Sequence, residues 1–309
     1  MPLAAILALP LVLAAHPGVG VVVDAKGNVF YTDLKQVLRL APDGSKSVVV
    51  PNVHTHELFL ELDGTLLGEH LWYEGDATGK WGHRVWKRSP DGVVSDVIPA
   101  TEGFRGEYSF VRDARGHMHW ADGPVGAGDK ANRVRVLRRS PDGAVSVLAG
   151  GVPGHADGRG EAARFHAIRW MTASPDGTVH LIDAGALRRV APDGTVTTLA
   201  TLFRRTVRSL FEDEDRHRLM GLAADGEGNV YVANNAECRV DRVGADGAVS
   251  VFSRSTAPWS PTGVTVSPSG DAVWILEYSL LGVRVRKVPA PALKDAASSP
   301  STAGPNRRR

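Results

Sequence analysis

The chain of 309 residues is poor in cysteine, in aromatics and in any excess of one charge sign. Its single cysteine, Cys238, excludes an internal disulfide framework and leaves the redox compartment open. The formal net charge is +2, and residues 289–309 alone carry +3, so the remainder carries −1. A body this close to neutral lacks the basic face that nucleic-acid phosphates demand, so no nucleic-acid partner is expected. No apolar run reaches the roughly 20 residues of a membrane-spanning helix. The longest, residues 3–15 (LAAILALPLVLAA), falls short. Gly-x-Ser-x-Gly, Walker, dinucleotide-binding and Cys-x-x-Cys motifs are all missing, which leaves hydrolase-fold, NTPase, Rossmann and zinc-ribbon chemistry without support.

What the chain has in quantity is turns. It holds 34 glycines and 19 prolines beside 43% hydrophobic residues, a globular and turn-rich balance. Pro-Asp-Gly or its equivalent recurs at Pro42, Pro90, Pro141, Pro192 and Ala245, with spacings of 48, 51, 51 and 53 residues. Proline presets the first turn dihedral and glycine accepts positive φ, so each tag reads as a tight hairpin turn. A second turn series precedes the tags, at Asp24–Gly27, Asp63-Gly64, Asp113–Gly116, Pro175–Gly177, Asp225–Gly228 and Pro268–Gly270. Between turns lie short runs rich in Val, Leu and aromatics, such as VGVVVD (19–24) and NVFYTD (28–33), which read as antiparallel strands. Six units of four strands predict an all-β fold, a six-bladed β-propeller of four-stranded antiparallel blades.

The stretches 148–200 (LAGGVPGHADG…TTLA) and 221–253 (GLAADGEGNVYVANNAECRVDRVGADGAVSVFS) resemble NHL repeats, and the likeness runs over most of residues 17–288. The wider TolB-like group of six-bladed propellers that they resemble includes senescence-marker/gluconolactonase-type lactonases, a peptide-amidating lyase and many binding scaffolds. Such a resemblance implies the ring and leaves the function open.

The ends divide the chain. Residues 1–15 read as a secretory signal with cleavage after Ala15, which places the protein outside the cell or in the periplasm. Residues 16–288 form the propeller, and 289–309 a disordered tail. Blade 6 ends after three strands. Leu11-Val12-Leu13 is the competing reading, a ring-closing fourth strand rather than a removed signal, and the sequence leaves both standing.

Alternating strand direction puts the uniform turn series on one face and the insertions 71–84, 123–133, 151–167 and 201–218 on the other. Long loops on a rigid scaffold are where sites are built. His54 and His56, two apart ahead of the innermost strand of blade 2, would point the same way on an extended strand, with Glu57 opposite. With His70 beside them, and with His16 as the residue that cleavage would expose, they are the candidate ligands of a divalent transition metal, Zn or Cu. Glu69 and Glu107 are the candidate catalytic carboxylates near such an ion. His117 and His119, also His-x-His, face the uniform side and read as structural. The lactonase resemblance implies cation ligands at strand ends, matched here by Asp183, Asn234 and Glu277, but the glutamate expected on the first blade is missing. Trp72, Tyr73, Trp81 and Trp86 cluster in the blade 2 insertion, suited to sugar rings or apolar ligand faces. Two functions follow: a monomeric exported propeller binding a small molecule or protein through the insertion-bearing face, or a metal-dependent hydrolase or lyase at the channel mouth.

Overall fold

The structure, a computed structural model, describes residues 17–75, 77–103, 109–123, 133–203 and 219–290. Six sheets follow one another along the chain. Blade 1 holds β1 (Val21–Val23), β2 (Val29–Thr32), β3 (Gln36–Leu40) and β4 (Lys46–Pro51). Blade 2 holds β5 (Leu58–Leu60), β6 (Leu66–Tyr73), β7 (Trp81–Arg88) and β8 (Val94–Glu102). In blade 3, β9 (Met118–Asp122), β10 (Arg135–Arg139) and β11 (Val145–Gly150) pair, and among the described residues one bridge, Arg112 to Met118, lies inside β9. Blade 4 has five strands: β12 (Gly158–Arg159) pairs outside β16 (Thr195–Thr201), beyond β13 (Ile168–Ala173), β14 (Val179–Asp183) and β15 (Ala186–Val190). Blade 5 is β17 (Leu219–Ala224), β18 (Val230–Asn234), β19 (Arg239–Val243) and β20 (Val249–Arg254). Blade 6 has three strands, β21 (Ser260–Val266), β22 (Ala272–Ser279) and β23 (Gly282–Pro289). The fold is the β-propeller the repeat predicts. Among the described residues no helix is long and apolar enough to cross a membrane.

Local chemistry explains the regularity. In each Pro-Asp-Gly turn the glycine sits at positive φ, for example 85° at Gly44 and 84° at Gly194, where a side chain would be strained. In the other series an aspartate folds back on its own turn: Asp24 Oδ1 accepts the Lys26 and Asn28 amides, and Asp225 repeats the arrangement in blade 5. Register shifts recur between the two outer strands of blades 1 to 5, and bulges of this kind increase strand twist.

Blades hold to each other through apolar seams. Phe30, Val37 and Val50 of blade 1 meet Leu58, Leu66 and Trp86 of blade 2, and Val21, Val29 and Tyr31 pack with Leu276 of blade 6. This last seam closes the ring although blade 6 lacks an outer strand among the described residues. The inner strands approach backbone to backbone: a Cβ on Gly263 would lie 2.2 Å from the Val19 carbonyl oxygen. Tyr278 adds a hydrogen bond from its hydroxyl to the Thr32 carbonyl, 3.0 Å. The proposed signal or closing strand, residues 3–15, and the tail beyond Ala290 lie outside the described residues, as does His16.

Candidate functional site

The blade 2 residues come together, but not on a paired strand. β5 begins only at Leu58, so His54, His56 and Glu57 lie on an irregular strap ahead of it. Its backbone is committed to neighbours: the His56 carbonyl accepts the Val19 and Gly20 amides at 2.9 and 2.8 Å, and the His54 carbonyl accepts Leu71 N–H at 3.0 Å. The two imidazoles nonetheless share a side, as the two-residue spacing predicts, and meet edge to face, 4.7 Å between centroids. His56 Nδ1 stands 3.6 Å from Glu69 Oε1. Glu57, expected on the opposite side, feels the Glu69 charge.

Burial governs the protonation of this cluster. It pushes His56 down to about 4 and Glu69 up to about 7, the latter against the charge of His83. Glu57 is likewise pushed up to about 7, by burial and then by Glu69, against Arg133. At neutral pH His56 is thus uncharged, and its contact with Glu69 is not an ion pair. Burial, followed by the charges of Arg84 and His54, also lowers His70. His70 Nδ1 accepts the His54 backbone N–H at 2.9 Å. That bond fixes a neutral ring with its proton on Nε2, which leaves His70 no lone pair for an ion. Among the described residues no three His, Cys, Asp or Glu side chains are arranged to hold a metal. The Zn or Cu site expected at His54, His56 and His70 does not fit these donors as they stand. Glu107 lies outside the described residues.

The three strand-end residues matched to the lactonase cation site are consumed within their own blades. Asp183 Oδ1 accepts the His166 and Ala167 amides, both at 2.8 Å, and Oδ2 accepts Arg188 Nη1 at 2.9 Å. Arg188, fully buried, also bonds Asp157 and the Ala156 carbonyl and lies over the Phe165 ring. Asn234 donates to Asp241 at 2.8 Å. Glu277 accepts from Ser255, Arg284 and Arg286. Burial works to raise the Glu277 carboxyl, but these hydrogen bonds outweigh it and hold it below its ordinary value. Each residue braces a hairpin instead of facing the channel as a free ligand.

The insertion 71–84 is not a loop. β6 and β7 run on to Tyr73 and Trp81, which face each other across the hairpin, 59% and 47% exposed. Trp72 covers Gly82, where a Cβ would meet its ring at 2.5 Å. Trp86 is buried and donates its Nε1–H to the Glu69 carbonyl at 2.9 Å. The four aromatics therefore split, two for packing and two for the surface. The hairpin of β22 and β23 carries exposed Leu280 and Leu281 at its tip. His117 and His119, on the uniform face, sit beside Asp113 in the turn that blade 1 builds with Asp24 and Asn28.

No family model matches the chain. Teneurin-m of Drosophila melanogaster is 27% identical over 286 residues, 79% of this chain; the chain spans about a tenth of that relative's length. Among solved structures, a calcium-binding protein, regucalcin, of Agrobacterium tumefaciens matches with a TM-score of 0.54 at 17% identity, over 90% of this chain and 94% of that one. A putative gluconolactonase matches at 0.54 and 16%, over 88% and 90%. A streptogramin B lyase matches at 0.53 and 12%, over 88% and 94%. At these identities the likeness establishes the propeller and nothing about chemistry.

Proposed function

We propose that the chain is an NHL-type propeller, exported, that binds a small molecule or a protein through its insertion-bearing face. The observation that carries this reading is the β6–β7 hairpin, which exposes Tyr73 and Trp81 side by side at its end. Exposed aromatic pairs on rigid strands are binding surface, because they bring large contact area at small entropic cost. The Teneurin-m match supports a module reading, since most of this chain aligns with about a tenth of a much longer one.

The competing reading, a metal-dependent hydrolase or lyase, draws on neighbours described as a lactonase, a lyase and a calcium-binding protein. The commitments of His70, Asp183, Asn234 and Glu277 weigh against it. The test of the binding reading is photo-crosslinking in the producing cells, with a benzophenone amino acid at Tyr73 or at Leu62, an exposed residue of the opposite face. One discrete adduct is expected from position 73 and none from 62. No adduct at 73, or the same adducts at both, contradicts the proposal.

A further inference from the structure

The third residue after the glycine of each inner turn is Phe30, Leu67, His119, His180, Tyr231 and Val273 in blades 1 to 6, and all six are buried. It is a core position that four blades fill with an apolar or aromatic residue and blades 3 and 4 fill with histidine. Directly across the sheet from the first five stand Arg39, Lys87, Arg138, Arg189 and Arg242. Opposite an aromatic or aliphatic side chain such a cation is harmless, whereas opposite an imidazolium it repels.

We propose that His119 and His180 are proton-binding sites whose protonation opens blades 3 and 4 before blades 1, 5 and 6. Neither His119 ring nitrogen, nor His180 Nδ1, makes a hydrogen bond among the described residues. Both imidazoles are buried and neutral: His180 Nδ1 has no hydrogen-bond partner, and His119 has only the Asp113 carboxylate, beyond hydrogen-bond distance, to receive an added proton. His119 faces Arg138, His117 and Asp113, whose Oδ2 lies 3.6 Å from its Nε2 and already accepts from His117 Nδ1 at 2.8 Å. His180 faces Arg189 and Asp176, with the uncharged Thr172 on its other side. Burial lowers both, His180 to about 4, and outweighs Asp113 and Asp176, which work the other way.

The sign follows from linkage. A base whose folded value lies below its unfolded one leaves stability intact above the unfolded value, about 6.5, and removes it as pH falls towards the folded value. The window, about 6.5 down to 4, lies above that of the turn aspartates, which burden the fold only near and below their ordinary 3.8. For His180 the opening equilibrium rises roughly 50- to 100-fold between pH 8 and pH 4.5. The two histidines lie in adjacent blades that share one apolar seam, with Val136 and Leu148 against Phe165 and Leu181. Both blades are therefore expected to open together.

Hydrogen exchange of the full chain, corrected for intrinsic rates, tests this. Between pH 8 and pH 4.5, peptides of β9–β10 and β13–β15 should lose protection at least tenfold, while β1–β3 and β17–β19 stay protected. A variant copying the other blades, His119→Tyr with His180→Leu, should keep that protection. Equal loss in blades 1 and 5, or a variant that opens at the same pH, overturns the proposal. Imidazole NMR titration of the wild type decides independently of how the variant folds: His119 should titrate below the ordinary value and His180 near 4, and titration at the ordinary value overturns it.

Discussion

Replacing Arg188 by methionine is expected to cost about 3–5 kcal/mol, the usual penalty for removing one partner of a buried ion pair. Asp183 has no exposure, and two of its acceptor sites are filled by amides that hold the His166–Ala167 connection. Without the guanidinium its charge stays buried and uncompensated, and Asp157 and the Ala156 carbonyl lose their donor as well. Urea unfolding measures the loss. An Asp183→Asn, Arg188→Met double variant should recover part of it, because the stranded charge is then gone. A loss under about 1 kcal/mol for Arg188→Met would mean that the network is not a brace.

Trp86→Ala should cost a similar amount, about 3–5 kcal/mol, through lost burial and the cavity left behind. The indole fills the blade 1–blade 2 seam, lies on Gly68 where a Cβ would reach it at 2.2 Å, and donates to the Glu69 carbonyl. Trp81→Ala, on the same strand, should change stability by no more than about 0.5 kcal/mol. Equal effects of the two substitutions would contradict the division of these aromatics into packing and surface.

The ring was legible because its signal is repeated: Pro42, Pro90, Pro141 and Pro192 stand in the same turn, each followed by an aspartate and a glycine with positive φ. That blade 6 shows three strands among the described residues could be read from the halt at Pro289. The strap's departure from a paired strand was not legible: His56 spends its carbonyl on two amides of blade 1, a contact no local pattern announces. The brace of Asp183 did leave a trace, since Arg188 follows it by five residues across a tight turn. Strand pairing of Asp183 with Ala186 then sets Arg188 two places along on the same face. Similar spacing connects Asn234 to Asp241 and Glu277 to Arg284. Read as hairpin partners, those pairs separate a brace from a cation ligand.

Whether the ring is a binding scaffold or a metal enzyme is decided most directly by calorimetric titration of the purified full chain with Ca²⁺ and with Zn²⁺ at neutral pH. Calcium modules of extracellular proteins bind as weakly as about 10⁻³ M and other sites for such ions far tighter, so the titration extends to about 10⁻³ M. With His70 committed to the His54 amide, and Asp183, Asn234 and Glu277 committed to their blades, the expected result is no stoichiometric uptake in that range. Uptake of one ion per chain, abolished by His54→Ala with His56→Ala or by Asp183→Asn, would contradict the account.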